Sequence, residues 1–94
     1  MTNDGEIPRA SIKAYGRHFR FKVAALLNFE LAKYLRSNPK ITVGDLANRV
    51  GVTRKEYIRP LKNPSKMTIL LMSYIATSME LEVNFSITKE DSHD

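Results

Sequence analysis

Two helix-start signals stand eleven residues apart in the stretch ITVGDLANRVGVTRKEYIRPLK, residues 41–62, and nothing else in the chain constrains its fold as much. Thr42 precedes Asp45 by three positions, and Thr53 precedes Glu56 by three. A hydroxyl so placed can accept from the backbone at a helix start, while the carboxylate answers the cap's own N–H. Between the two starts Leu46, Ala47 and Val50 recur at helical spacing. Gly51 then supplies the residue that most readily takes the left-handed conformation of a helix cap. Val52 and Tyr57 add apolar contacts, and Leu61 follows Tyr57 at i+4. The spacing predicts two short helices joined by a tight turn, a helix-turn-helix.

The flanking sequence extends the helical reading. From His18 to Ser37, Val23, Leu27, Leu31 and Leu35 fall at i+4 steps with Ala24 and Tyr34 beside them, and Asn38-Pro39 ends the run. Phe19, Phe21 and Phe29 exceed what one stripe needs and are assigned to the core, with packing under the arm or a subunit contact as the other uses. After the polar loop from Lys62 to Lys66, a helix is expected over Thr68 to Leu81, with Ile69, Met72, Ile75, Ala76 and Met79 facing inward. Leu70, Leu71 and Tyr74 lie off that stripe and suggest a second buried contact, either another copy of the chain or the N-terminal segment.

Residues 82–88, EVNFSIT, alternate apolar and polar with the period of a half-buried strand. A lone strand leaves its backbone unpaired. Pairing with the same strand of a second copy would satisfy it and set Val83, Phe85 and Ile87 at a dimer interface. Residues 1–16 read as a flexible basic arm, with a short strand near Ile12–Phe21 as the weaker option. Arg17 and Arg20 are its candidate groove contacts; a disordered tail is the simpler reading of such a terminus. Residues 89–94 read as a disordered tail.

Ninety-four residues suit one domain, and 43% hydrophobic content can build a core. With no cysteine there is no disulfide framework and no thiolate metal site. The N-terminus lacks the apolar core of a signal peptide, and no run approaches a membrane span, so a soluble cytoplasmic protein is expected, in a bacterial cytosol or nucleoid or in a phage-infected host. Net charge is +5, unevenly spread. Residues 9–66 hold fourteen Lys/Arg against Glu30, Asp45 and Glu56, whereas residues 67–94 hold Lys89 against five acids. Such a split suits a polyanion on one pole and other contacts on the opposite one.

If the second helix of the pair reads double-stranded DNA, its first residues point at base edges. These are Thr53, Arg54 and Lys55, followed one turn on by Ile58 and Arg59. Arginine can pair bidentately with guanine, lysine less geometrically, and threonine can reach a base edge or a thymine methyl. Ile58 either presses on thymine methyls or turns inward. Glu56 can accept from cytosine, although its spacing from Thr53 favours capping. Pro60 disfavours helical geometry at Arg59 and predicts a helix end there. Lys62, Asn63, Ser65 and Lys66 then form a phosphate-contacting loop. Thr42, Val43 and Gly44 offer a second phosphate site at a helix N-terminus.

At these residues the chain resembles the lambda-repressor/Cro class of helix-turn-helix regulators, also called XRE-like. The resemblance rests on Asp45-Leu46-Ala47, on Val50-Gly51-Val52-Thr53-Arg54, and on Thr68 with Ile69, Met72, Ile75-Ala76, Met79 and Leu81. It covers about residues 22–88. Tyr57 stands where the class carries a smaller aliphatic, and Gly44 and Pro60 replace its usual Gln or Glu and aliphatic. The resemblance implies a mainly α fold, a lambda-repressor-like domain of four to five helices over residues 17–88, with one C-terminal β-strand used for dimerisation.

The function so implied is a sequence-specific transcriptional regulator, of repressor type from a phage, prophage or mobile element, acting as a homodimer on a palindromic operator. An antirepressor or toxin is a conceivable protein partner, and no membrane is. The alternative is an antitoxin that neutralises a partner protein and autoregulates its operon. An enzyme is not expected. His18 and His93 are the only histidines, neither belongs to a metal-spaced cluster, and there is no Gly-rich phosphate loop, so no catalytic residue, cofactor or metal is assigned.

Overall fold

A computed structural model describes residues 9–84 of the chain, with side chains from Gly16 onward. The order is α1 (Arg9–Ser37), α2 (Val43–Arg49), α3 (Arg54–Lys62), a single 3-10 turn (Pro64–Lys66) and α4 (Ile69–Ser78). The architecture is mainly helical. Helix α1 packs on α3, on the 3-10 turn and on α4, and α2 bridges α3 and α4.

The core forms where the apolar stripes converge. Ala24 and Leu27 of α1, Leu46 and Ala47 of α2, Tyr57 and Leu61 of α3, and Met72, Ile75 and Ala76 of α4 are all buried. Val23, Leu31, Tyr34 and Leu35 pack against this cluster from the expected face of α1. Ile69 departs from its expected place: it opens α4 at 71% exposure instead of joining the inward stripe.

Local chemistry fixes each boundary. Helix α1 ends as Asn38 turns its side-chain amide back to donate to the Tyr34 carbonyl at 2.8 Å, before Pro39 prevents continuation. Both capping boxes are present, at Thr42/Asp45 and at Thr53/Glu56. Helices α2 and α4 close with the same C-terminal geometry. The N–H of Val52 donates to the Ala47 carbonyl and that of Gly51 to Asn48; the N–H of Leu81 donates to Ala76 and that of Glu80 to Thr77. Each pair is a Schellman motif, whose middle residue takes positive φ. That residue is Gly51 at 74° after α2 and Glu80 at 60° after α4.

Four expectations are corrected. Phe19, Phe21 and Phe29, assigned to the core, stand 47%, 51% and 61% exposed on α1. Residues 9–16, read as part of an arm, are the first turns of α1, so the candidate arm contacts Arg17 and Arg20 stand on a helix. Helix α3 does not stop at Arg59 but runs through Pro60 to Lys62. Proline's missing donor removes one helical bond, yet its ring is fully buried in the core, and that packing holds the turn. Helix α4 ends at Ser78, and residues 82–84 have no regular secondary structure. The rest of the expected strand, with Phe85 and Ile87, lies outside the described residues, as do residues 1–8 of the arm and the tail at 89–94. Among the described residues there is no strand for residues 82–84 to pair with.

Candidate nucleic-acid interface

Helix α3 has one buried face and one open face. Tyr57, Pro60 and Leu61 are buried, whereas Arg54, Lys55, Arg59 and Lys62 are exposed. Tyr57 anchors the buried face. Its hydroxyl lies 2.8 Å from the hydroxyl of Ser78, which itself donates to the Ile75 carbonyl at 2.6 Å. Because the Ser78 proton is committed to that carbonyl, Tyr57 is the donor between the two hydroxyls. Burial of the phenol pushes its pKa up, and the Ser78 bond acts in the opposite sense.

Two further side chains hold the element in place. Arg49, at the end of α2, donates to the Tyr34 hydroxyl and to the Ser78 carbonyl, both at 2.8 Å, and so ties α2 to α1 and α4. Its hydrogen bond to Tyr34 raises the guanidinium pKa further, so the charge is permanent. Asn28 of α1 donates to the Leu61 carbonyl at 3.1 Å, satisfying one of the orphan acceptors at the end of α3.

The exposed start of α3 is set by its cap. The Thr53 hydroxyl accepts from the Glu56 N–H at 3.0 Å, and the Glu56 carboxylate accepts from the Thr53 N–H at 2.8 Å. The carboxylate is thereby committed to capping, with its pKa held below the ordinary range first by the bond from the Thr53 N–H, then by the Thr53 side chain and, to a lesser extent, by the Arg59 charge. Thr53, Arg54 and Lys55 stand free in solvent before it. Ile58 is half-buried at the margin of the same face. Among the described residues the one ion pair is Lys33 with Glu30, at 3.5 Å on α1. Among the described residues the cations of α3 therefore have no carboxylate within ion-pair distance.

The loop after α3 adds to this open face. Lys62, Asn63, Ser65 and Lys66 are all exposed, and the Ser65 hydroxyl donates to the Asn63 side-chain oxygen at 2.7 Å. That bond occupies the Asn63 side-chain oxygen and not its amide N–H₂. At the start of α2 the arrangement is less open to an anion. The Thr42 hydroxyl accepts from the Asp45 N–H, leaving the N–H groups of Val43 and Gly44 as first-turn donors. The Asp45 carboxylate accepts from Thr42 N–H at 2.9 Å, which lowers its pKa and fixes a negative charge beside those donors. Val43 also packs partly against the core. A Cβ on Gly44 would meet only the Thr42 hydroxyl, at 3.6 Å, so space does not demand glycine there.

Arg17 and Arg20 sit on α1, with Arg17 exposed and Arg20 half-buried. Of the residues expected at a subunit contact, Leu70 is 59% exposed and Val83 38% exposed. Tyr74 is half-buried, and Leu71 turns inward to pack on the core of its own chain. Sequence reasoning passed over Asn28, Arg49 and Ser78. The one available signal was Tyr57 itself, whose hydroxyl needs a partner once its ring is buried.

Among the described residues no three His, Asp or Glu side chains gather as metal ligands would, and no helix is long and apolar enough to cross a membrane. Compared with protein-family models, with curated proteins and with solved structures, the chain matches none.

Proposed function

We propose that α2 and α3 form a DNA-reading helix-turn-helix and that the chain is a sequence-specific transcriptional regulator of the lambda-repressor/Cro type. The observation that carries this reading is the open face of α3. Thr53, Arg54 and Lys55 stand exposed at its N-terminus, their cations unneutralised, while the opposite face is anchored through Tyr57. A rigid helix presenting free cations at its first turn suits entry into a major groove, with Arg54 on guanine and Thr53 and Lys55 beside it. Arg59, Lys62, Asn63, Ser65 and Lys66 follow on the exposed side and would hold phosphates. Thr42, Val43 and Gly44 contribute less, because Asp45 opposes an anion there. Arg17 and Arg20 would act from α1 rather than from a free arm.

The regulator works as a homodimer on a palindromic site, with two copies of α3 about 34 Å apart. Leu70 and Val83, apolar and exposed, support a contact between copies. Selection of bound sites from a random DNA pool tests base reading and half-site symmetry together; recovery of no enriched sequence would reject the proposal. Sedimentation as a monomer at micromolar concentration would reject the dimer.

A second reading is an interaction protein, such as an antitoxin bound to a partner. It is favoured by Phe21, Leu26 and Phe29, which stand 51–65% exposed on α1. The regulator is preferred because those residues do not use the free cations.

A further inference from the structure

Helix α1, the residues before α4 and the start of α4 line an open cavity of about 360 Å³. Its floor is apolar: Met67 and Met72 are buried, and Val23 is half-buried beside them. Methionine side chains adapt to the shape of what they meet. Phe19 and Ile69, 47% and 71% exposed, stand at the rim. A space of about 150 Å³ holds one benzene molecule, so this one takes a body of about twelve non-hydrogen atoms. It is too small to seat a helix, about 10 Å across, and falls within the range of small-molecule sites.

Arg20 is the one charged side chain among the described residues that line the cavity. Its guanidinium folds back over Gly16, with Nη1 3.8 Å and Nη2 3.9 Å from where a Cβ on that residue would stand. Its Nε is buried without a hydrogen-bond partner among the described residues. A cationic donor left in this way occupies a position that a partner improves. Thr68 adds a second polar group. Its hydroxyl accepts from the Leu71 N–H at 3.0 Å, which leaves its own proton to donate. No carboxylate lines the cavity among the described residues, and the first turn of α4 carries no acid. One cation and one hydroxyl donor over an apolar floor complement a carboxylate on an apolar body.

We propose that this cavity binds a small monocarboxylate with an aryl or alkyl body, the body on Met67 and Met72 and the carboxylate on Arg20 and Thr68. On binding, the guanidinium swings off Gly16 into the cavity, where Nε and one Nη donate side-on to the two carboxylate oxygens. The proposal does not rest on DNA reading.

Phenylbutyrate has the size and charge to test it, and phenylbutanamide is its neutral match. In NMR titrations of the isotope-labelled full chain, the acid should move the backbone N–H signals of Gly16, Arg20, Met67 and Met72 saturably. The neutral match should bind several-fold more weakly. Acetate, which has the charge without the body, should not saturate these signals. Arg20→Met should bring the acid down to the affinity of its neutral match and leave that of the neutral match unchanged. Arg20→Lys should keep part of the preference. Equal affinity for the two ligands in the unaltered chain would overturn the proposal. So would saturable shifts found only on α3, or an Arg20→Met protein that binds the acid as tightly as before. The first comparison needs no variant, so it decides even where Arg20→Met disturbs the fold. None of these outcomes depends on DNA, and the regulator reading stands or falls separately.

Discussion

Single residues carry the orientation of α3, and Tyr57 and Ser78 most of all. With its ring fully buried, the Tyr57 hydroxyl has Ser78 as its partner. Ser78→Ala should cost about 1–3 kcal/mol by leaving a buried donor unsatisfied, while Tyr57→Phe in that background should add much less than it does alone. Urea titration of the four variants as a double-mutant cycle measures the coupling. The raised phenol pKa adds an alkaline limb. Above about pH 10 the unfolded tyrosine loses a proton that the folded one keeps, so stability falls as pH rises, and Tyr57→Phe should flatten that fall. The two Schellman turns offer a paired comparison at the same scale. Gly51 and Glu80 both take positive φ, but only glycine does so without steric cost. Gly51→Ala should destabilise by about 1 kcal/mol and Glu80→Gly should stabilise by up to about 1 kcal/mol, opposite signs for the same backbone position in two helices. Guanidinium melts of both variants check this.

At the scale of elements, the capping boxes explain why two short helices hold their boundaries, and they were legible from Thr42/Asp45 and Thr53/Glu56 alone. A cap is local chemistry, readable wherever hydroxyl and carboxylate stand three apart. The end of α3 was not legible in this way, because Pro60 argues locally for a stop and only tertiary burial of its ring overrides that. The same distinction explains α1. Its apolar stripe from Val23 to Leu35 was plain, whereas its extension back to Arg9 crosses Gly16 and a polar stretch that shows no period. Of the candidate interface, the exposed Thr53, Arg54 and Lys55 followed from the cap position; the clamps Arg49 and Asn28 did not, since each depends on a contact far away in sequence. Both capping carboxylates have lowered pKa values, chiefly from the Thr N–H bonds. The unfolded chain takes up those protons first as pH falls, so their stabilisation is full above about pH 4.5 and is lost below it as the folded groups protonate. Thr53→Ala should cost about 1 kcal/mol at neutral pH and should shrink this acid-side loss, as thermal melts between pH 3 and 7 would reveal.

For the whole molecule, charge is the property that joins fold to proposed function. Residues 9–66 carry fourteen cations against three acids, and two of those acids, Asp45 and Glu56, are occupied by their caps. Both carboxylates stay charged, but each is turned onto a backbone N–H at a helix start and makes no ion pair with the cations of α3. If Arg59, Lys62 and Lys66 each meet a phosphate in both copies of a dimer, about six counterions are released on binding, and the logarithm of affinity should fall with the logarithm of salt at a slope near −5. Lys66→Ala should lower that slope by about 2 in the dimer, weakening all sequences alike, whereas Arg54→Ala should cost about 1–3 kcal/mol per half-site on the selected site and relax base choice there. Gel-shift titrations at several salt concentrations, on selected and scrambled duplexes, separate the two effects. A slope near zero, or an Arg54→Ala protein that keeps both affinity and preference, would mean that the open face of α3 meets something other than DNA.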